Sequence, residues 1–219
     1  MTYQAHTLDN QVLPLPLGKI VCVGRNYAAH AEELNHPLPQ EPLLFIKPNS
    51  AFAAFDAPIN VSDRPHGIHY ELEIAVLITE KLTKVTPEQA RAGIGGLGLA
   101  LDLTYRDLQQ ALSADGEPWE KSKGFDDSCP VTPFVSVPNI DLGNLQMKLT
   151  INGECRQQGD SADMLTGVLK LLSFISSHFT LLPGDIVLTG TPAGVGALNA
   201  GDSIEAELDG VIRATGHAV

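Results

Sequence analysis

The sequence predicts a fold made mostly of β-strands with a few short helices, an α+β chain. Its apolar runs are short, and 20 Gly and 15 Pro are spread between them as turn signals. Only one segment, 161–179, keeps a helical period over a long stretch. No internal repeat, low-complexity tract or linker divides the 219 residues. We therefore expect a single domain over 1–219, with 1–17 as an N-terminal extension packed on it.

The first half of the chain alternates predicted strands with short helices. In chain order these are the strand 19–27 with its following turn, the helix 27–35 closed by prolines, the strand 42–48, the strand 69–78 and the helix 86–94. Thr86 is the expected N-cap of the last of these helices, because Pro87 follows it at the first turn.

The second half begins with a buried strand in GGLGLALDLTYRDLQQAL, which passes into a helix near Thr104. The alternating segment 145–153 ends in Asn-Gly, a strong signal for a hairpin. The segment 161–179 predicts the main helix, with Ser161 as its cap. The apolar stripe of that helix comprises Met164, Val168, Leu171, Leu172 and Ile175. The last predicted strands are 185–190 and 202–210.

Composition excludes several classes of protein. The formal net charge of −12 argues against nucleic acid and anionic membranes as partners. No run of eighteen or more apolar residues could form a transmembrane helix. The first twenty residues lack the basic start and apolar core of a secretory signal. Cys22, Cys129 and Cys155 are widely spaced and follow no metal-binding pattern, which predicts reduced thiols in a cytoplasmic protein.

The predicted strand HYELEIAVLI, residues 69–78, carries two carboxylates near its start. Because side chains alternate across a strand, Glu71 and Glu73 share one face. The other face is apolar and comprises Leu72, Ile74, Val76 and Ile78. The carboxylate face continues as Ala75 and Leu77, so beyond its start the strand is apolar on both faces and should be buried. The two carboxylates should then lie at the mouth of a site.

Asp102 is a lone charge in another apolar run, LGLALDLTY. An isolated buried carboxylate must find a partner, bind a metal or take up a proton. Oxygen ligands alone favour a hard cation such as Mg²⁺ or Mn²⁺, whereas zinc would be expected to have His or Cys ligands. Pairing with Arg or Lys is the alternative, and from the residues alone both remain open.

Six motifs occur in one order along the chain: GRNYAAHAEEL, LFIKP, HYELEIAVLI, LDLTYRDLQ, SKGFDDSCP and LTGTPAGVG. From about residue 18 to the end, they resemble the fumarylacetoacetate hydrolase family in its short form, which is similar to acylpyruvases and fumarylpyruvate hydrolases. The resemblance implies a single catalytic domain with the mixed β-sandwich or roll of that family's C-terminal domain, and a homodimer. It also implies a Mg²⁺ ion, with Mn²⁺ as a substitute, held by Glu71, Glu73 and Asp102.

His30 and Glu33 are three residues apart in AAHAEEL, on one face of a short helix. A His is the usual general base near neutral pH, and a carboxylate beside it can orient its ring. Taken alone, the pair is more typical of a solvent-exposed contact. The family resemblance implies a catalytic dyad at these two positions.

The resemblance also implies residues that bind the substrate or stabilise charge. Lys123, in the segment SKGFDDS that is predicted to be a loop, would stabilise the developing oxyanion. The expected substrate contacts are Arg106, Gln109 one helical turn later, Thr191 in a glycine-rich loop, Arg25 and Tyr27. Backbone N–H groups of that glycine-rich loop could hold a carboxylate, although tight turns also require glycine.

Three functions are consistent with these residues. The first is an enzyme, a Mg²⁺-dependent hydrolase that cleaves the carbon–carbon bond of 3-acylpyruvates such as fumarylpyruvate or acetylpyruvate, giving pyruvate and a carboxylic acid. The second uses the same site for decarboxylation or keto–enol tautomerisation of oxaloacetate. The third is a non-catalytic protein that binds an α-keto acid. All three take a small α-keto or diketo acid as ligand.

Overall fold

The computed structural model describes residues 4–9, 11–35, 37–136, 140–208 and 210–219. The strands, in chain order, are β1 Ile20–Gly24, β2 Leu43–Lys47, β3 Phe52–Ala54, β4 Ile68–Tyr70, β5 Leu72–Ile78, β6 Ile94–Leu101, β7 Thr104–Tyr105, β8 Cys129–Val131, β9 Gln146–Ile151, β10 Glu154–Asp160, β11 Ile186–Leu188, β12 Gly196–Ala197, β13 Ser203–Leu208 and β14 Ile212–His217. The helices are α1 Ala28–Glu33, α2 Pro87–Ala90, α3 Arg106–Ala114, α4 Glu120–Lys123 and α5 Val168–His178. Short strands and few helices confirm the predicted α+β fold class.

The largest sheet has seven strands in the order β2-β1-β11-β5-β6-β8-β3. Its middle strand, β5, is buried along its whole length. Leu72, Ile74, Val76 and Ile78 lie in the larger of two hydrophobic cores. Ala75 and Leu77 lie in the smaller core, on the opposite face. The predicted burial of both faces of this strand is therefore confirmed.

Two smaller sheets complete the fold. One has four antiparallel strands in the order β10-β9-β13-β14, and the other has three in the order β12-β4-β7. The predicted hairpin joins β9 to β10 through Asn152 and Gly153, whose φ angles of 53° and 79° suit a tight two-residue turn. Apolar side chains of β9 and β13 enter the larger core, so the four-stranded sheet covers that face of the seven-stranded one.

The main helix begins later than predicted. Residues 161–163 form a short 3-10 helix, and α5 begins at Val168 after Gly167. Ser161 does not cap α5, because its hydroxyl accepts a hydrogen bond from the backbone N–H of Leu145. Asp160 caps the 3-10 helix instead. The apolar stripe from Val168 onward is buried, as expected.

Local breaks shape the strands around the site. The predicted strand 69–78 is two strands, β4 and β5, which separate at Glu71. The short β7 precedes α3, so the helix begins at Arg106 and not at Thr104. The strands β3, β8, β12 and β14 were not predicted. Thr86 and Gln89 form the capping box of α2, which confirms the predicted N-cap.

The segment 1–17 contacts the smaller core through four apolar side chains, Ala5, Leu13, Leu15 and Leu17. Residues 1–3 and 10 of this predicted extension lie outside the described residues. No helix in the described part of the chain is long and apolar enough to cross a membrane.

Candidate active site

A cavity of about 520 Å³ opens where β1, β5, α1, α3 and α4 approach one another. Most of the site residues predicted from the sequence line this cavity. The predicted residues that line it are Arg25, His30, Glu71, Glu73, Asp102, Arg106, Gln109, Lys123 and Thr191. Glu33 contacts His30 but is not part of the lining, and Tyr27 lies elsewhere.

Three acids form the carboxylate cluster: Glu71, Glu73 and Asp102. One carboxylate oxygen from each lies within 4.8 Å of the others, and each residue is at most 4% exposed. Strand pairing explains the arrangement. Leu72 pairs with Leu101 across β5 and β6, and the N–H of Asp102 donates to the carbonyl of Glu71 at 2.8 Å. The neighbouring acids on the two strands are thereby brought together at one end of the sheet.

Two cationic side chains of the cavity lining pair with part of the cluster. Lys123 Nζ lies 2.8 Å from Glu71 Oε2 and 2.6 Å from Asp102 Oδ2. Arg106 donates to the other oxygen of Glu71. The prediction of a loop at Lys123 is wrong, because the residue ends α4 and is only 2% exposed. Its polar neighbours in the sequence gave no sign that its ammonium is buried against two acids.

Glu73 is the uncompensated member of the cluster. It accepts a hydrogen bond from Gly190 N at 2.5 Å, and no ion pair joins it within the described ranges. Burial raises the pKa of Glu73 well above its ordinary value, and the charges of Asp102 and Glu71 raise it further. Burial alone would also raise the pKa of Glu71, but Lys123 and Arg106 outweigh burial and leave that pKa below its ordinary value.

Lys123 is held in its charged form by the same acids. Burial by itself lowers the pKa of a lysine, but Asp102 and Glu71 outweigh burial and raise the pKa of Lys123 above its ordinary value. The sequence left open whether the acids pair with cationic side chains or bind a metal. The structure contains the pairing at Glu71 and Asp102, whereas Glu73 forms no ion pair with any residue that the structure describes.

Lys47 is a fully buried cation that the sequence reading missed. Its ammonium donates to the carbonyls of Leu103, Lys123 and Ser128, and to the Ser128 hydroxyl. It also lies 2.8 Å from Asp102 Oδ1. Among the described residues, Asp102 Oδ1 therefore has an ion pair with Lys47 but accepts no hydrogen bond. Its position at the end of the apolar run LLFIK was the sequence signal that could have predicted its burial.

The donor set of the cluster fits a hard divalent cation. All three ligands would be carboxylates, and a site made of oxygen ligands suits Mg²⁺ or Mn²⁺ better than it suits zinc. Within the described residues, buried Asp102 Oδ1 accepts no hydrogen bond beyond its ion pair with Lys47, and buried Glu73 has no ion pair. Both are features that a bound cation would satisfy.

The dyad, His30 and Glu33, lies on α1. His30 is buried, and its Nδ1 lies 3.2 Å from Glu33 Oε2. Glu33 Oε1 accepts a hydrogen bond from Gly194 N at 3.0 Å. Glu33 thus fixes the ring from one side and leaves Nε2 as the ring nitrogen for a ligand in the cavity. The burial of His30 does not fit the alternative of a solvent-exposed pair.

The glycine-rich loop 190–196 holds acids of the protein itself. Gly190 N binds Glu73, and Gly194 N binds Glu33. These two N–H groups are therefore occupied by protein carboxylates, whereas the sequence suggested that loop N–H groups hold a substrate. Thr191, between them, lines the cavity. Gly190 and Gly194 have φ angles of 99° and 100°, which only glycine adopts freely.

Arg106 and Gln109 lie on one face of α3, as their spacing predicted, with Nη1 of the arginine 2.5 Å from Oε1 of the glutamine. Arg25 lines the cavity with a φ of 58°, an unfavourable backbone angle for a residue with a side chain. Tyr27 belongs to the larger core, where burial raises its pKa and where its hydroxyl finds no hydrogen-bond partner among the described residues.

An aromatic wall, formed by Phe45 and Trp119, lines another part of the cavity, and sequence reasoning missed it. The two rings meet edge to face with centroids 5.8 Å apart. Val23 and Leu34 extend this apolar surface. The cavity therefore combines a strongly charged part with an apolar one, a combination that suits a small acid with a short carbon chain.

The family model for the C-terminal part of fumarylacetoacetate hydrolase matches residues 19–217. The chain belongs to this family. It is 44% identical over 210 residues to the oxaloacetate tautomerase YcgM of Escherichia coli (strain K12), covering 95% of this chain and 96% of that protein. It is 41% identical over 197 residues to the mitochondrial oxaloacetate tautomerase FAHD1 of Homo sapiens, covering 90% and 89%.

A solved structure of fumarylpyruvate hydrolase from Pseudomonas aeruginosa, in complex with Mn²⁺ and pyruvate, has the same fold. It superimposes with a TM-score of 0.92 at 32% identity, covering 100% of this chain and 96% of that one. The family resemblance and fold class predicted from the six motifs are thus confirmed. Members of this family are hydrolases and isomerases that act on small keto acids, as these relatives illustrate.

Proposed function

We propose that this family member is a divalent-cation-dependent oxaloacetate keto–enol tautomerase. The observation that carries the proposal is one cavity lined by a carboxylate cluster and a buried histidine, in a chain whose near full-length relatives are named oxaloacetate tautomerases. This function was the alternative in the sequence reading. The similarity to these relatives favours it over acylpyruvate hydrolysis.

Tautomerisation moves one proton between the carbon next to the keto group and the keto oxygen. In the direction of the enol, His30 Nε2 takes the proton from that carbon, and the C–H bond pair becomes the new carbon–carbon π bond. The carbonyl π pair moves onto oxygen, which then receives a proton from the imidazolium. Glu33 at Nδ1 stabilises the charged ring between the two transfers.

Negative charge on the substrate oxygens requires positive partners in the cavity. Glu71, Glu73 and Asp102 would hold Mg²⁺ or Mn²⁺, which supplies Lewis acidity for the developing charge when bound. Lys123 and Arg106 are the cationic side chains of the lining, and they attract the carboxylates of a keto diacid. Gln109 and Thr191 add neutral hydrogen-bonding groups to the same lining.

Acylpyruvate hydrolysis is the second candidate function, and two observations favour it. The fold matches a fumarylpyruvate hydrolase closely, and the aromatic wall offers an apolar surface that a four-carbon diacid does not need. In this reaction His30 would remove a proton from water, and the resulting hydroxide would attack the distal carbonyl. The non-catalytic binder is the weakest candidate, because a binder has no use for a buried base held by a carboxylate.

The test is a panel of substrates assayed with Mg²⁺, with Mn²⁺ and with chelator. A tautomerase accelerates the loss of the ultraviolet absorbance of enol-oxaloacetate without releasing pyruvate. A hydrolase releases pyruvate from fumarylpyruvate or acetylpyruvate, and a decarboxylase releases it from oxaloacetate. We expect the first activity to dominate and to disappear with chelator. Dominant pyruvate release from an acylpyruvate would reverse the order of the two candidates.

We also propose that the protein is a homodimer, as the family resemblance implies. Light scattering on the purified protein would test this, since a monomer mass would contradict it. A cytoplasmic location stays a prediction from cysteine usage, and the human relative is named as mitochondrial.

A further inference from the structure

Gln157 is a buried polar residue close to the site but outside the cavity lining. It lies on β10, where the pairing with β9 shifts register between Cys155 and Gln157, and it is only 1% exposed. A buried amide has two donors and an acceptor to satisfy, so its partners show what it holds in place.

The partners of Gln157 belong to two segments of the site. Oε1 accepts from Leu72 N at 2.9 Å, and Leu72 stands between Glu71 and Glu73. Nε2 donates to the carbonyl of Pro192 at 3.0 Å and to Thr191 Oγ1 at 2.8 Å. One amide therefore ties the strand of the carboxylate cluster to the glycine-rich loop.

The same contacts determine whether the Thr191 hydroxyl donates to Gln157 or accepts from it. A backbone N–H can only donate and a carbonyl can only accept, so Leu72 and Pro192 together determine which end of the Gln157 amide is oxygen and which is nitrogen. Thr191 Oγ1 must then be the acceptor from Nε2, and its own proton is not used by Gln157. In the described part of the chain, that proton has no protein acceptor, while Thr191 lines the cavity.

The loop is packed so closely on β10 that the amide has little freedom. A Cβ on Gly194 would lie 1.9 Å from the carbonyl oxygen of Arg156, and one on Gly159 would lie 2.8 Å from Pro192 Cβ. Both distances are far below van der Waals contact. These close contacts thus set the position of Thr191 relative to β10, and Gln157 sets the direction of its hydroxyl.

We propose that Gln157 is a positioning residue, which makes the Thr191 hydroxyl a hydrogen-bond donor to a substrate carboxylate. This rests on the proposed function, since it takes an α-keto acid as the ligand. Gln157 itself touches no substrate. It acts through Thr191, and it also satisfies the Leu72 N–H at the break between β4 and β5.

A double-mutant cycle with Gln157→Met and Thr191→Val tests this. Both changes keep the approximate side-chain shape and remove the hydrogen bond. We expect each single variant to raise the KM for oxaloacetate and the Kd for pyruvate, measured with Mn²⁺, about tenfold, the scale of one hydrogen bond to a charged group. The double variant should be no worse than Thr191→Val, because Gln157 has nothing left to orient.

Ser161→Ala is the matched control. It also removes a buried hydrogen bond, from Leu145 N at 2.8 Å, but its side chain does not line the cavity. It should lower stability and leave KM and Kd unchanged. If Gln157 has only a structural role, Gln157→Met would behave like this control. Alternatively, Gln157→Met would change Kd by the same factor in the wild type and in Thr191→Val. Either result overturns the proposal.

A measurement on the unaltered protein covers the case in which Gln157→Met does not fold. The side-chain amide resonance of Gln157 should shift when pyruvate is added to protein already saturated with diamagnetic Mg²⁺, although the residue does not line the cavity. Gln146, exposed on β9, should not shift. An unmoved Gln157 resonance at saturating pyruvate overturns the inference alone. Absence of both pyruvate binding and turnover in the wild type overturns the proposed function, and the inference with it.

Discussion

The carboxylate cluster and the dyad line one cavity, but different elements support them. Glu73 lies on the middle strand of the seven-stranded sheet, and Glu71 and Asp102 adjoin its two central strands. All three are buried, and Glu71 and Asp102 form ion pairs with Lys47, Arg106 and Lys123. The dyad lies on α1, which has six residues and no side-chain hydrogen bond at its N-cap, and Glu33 keeps 31% of its side-chain surface exposed.

The difference follows from what each part does. Charges interact strongly only where water is excluded, so a group that binds a cation and stabilises an anion belongs on the rigid, buried sheet. A group that moves a proton between two substrate atoms must stand at the cavity with its ring held in place, and the short helix α1 presents His30 there beside Glu33. The two parts are joined at Gly190 and Gly194, because one loop binds Glu73 at one end and Glu33 at the other.

The largest expected effect is on the cluster. Glu73→Gln should reduce turnover to the background rate and weaken Mn²⁺ binding more than about 100-fold, because even outer-shell changes at metal sites cost 10–100-fold. The fold should survive, since a glutamine oxygen can still accept from Gly190 N. Calorimetric titration with Mn²⁺ measures the affinity, and the exposed Glu80→Gln is the control. Undiminished Mn²⁺ affinity would remove Glu73 from the site.

Changing the dyad should separate proton transfer from cation binding. His30→Ala should lower tautomerisation, and any acylpyruvate hydrolysis, about 10²–10⁴-fold, the usual worth of general base catalysis. Mn²⁺ affinity should stay within about threefold, because His30 is not a ligand in the cluster. Metal-promoted decarboxylation of oxaloacetate should fall much less, since it needs no base. The exposed His178→Ala serves as control. Equal rates in wild type and His30→Ala would refute the dyad.

A substitution at Lys123 shows how much the cationic side chains beside the carboxylate cluster contribute to the free energy of unfolding. Lys123→Met removes the charge with little change in volume and leaves Glu71 and Asp102 short of a partner. Breaking a buried ion pair costs about 3–5 kcal/mol, and we expect a loss of this size in the free energy of unfolding with chelator present. Saturating Mg²⁺ should recover part of it by neutralising the same acids.

The control for this experiment is Lys121→Met, an exposed lysine on the same helix, which should change stability by less than about 0.5 kcal/mol. Denaturant unfolding of both variants, with chelator and with Mg²⁺, provides the comparison. Equal stabilities of the two variants would mean that the cluster does not need Lys123. We expect a large loss of stability because Lys123 is buried, whereas the loss of a lysine from a surface loop would change stability little.

The smallest expected effect concerns Arg25, which joins β1 to the segment leading into α1. Its φ of 58° costs about 1–2 kcal/mol for a residue with a side chain. Arg25→Gly should therefore raise the free energy of unfolding by up to about 1 kcal/mol, after the greater freedom of glycine in the unfolded chain is counted. Asn35→Gly, at a φ of 54°, should gain less, since asparagine tolerates this conformation. A loss of stability in Arg25→Gly would show that its side chain contributes more than the strain.

Structural features that depend only on residues close together in the sequence could be predicted from the sequence. Alternation along β5 placed Glu71 and Glu73 on one face, and Asn152-Gly153 predicted the hairpin turn. The helical period of α5 identified its buried stripe but not its start, because Ser161 is drawn to Leu145 by a tertiary contact. The order of six motifs was sufficient for the family.

Only the tertiary structure decided which charges meet. Lys47 lies 2.8 Å from Asp102, and Gln157 binds Leu72, although these partners are 55 and 85 residues apart along the chain. In the polar segment around Lys123, nothing in the local pattern distinguishes a lysine that will be buried against two acids from one that will face solvent. Burial of a charge depends on every segment that packs over it, because the cost of desolvation is set by the whole surrounding volume and not by adjacent residues.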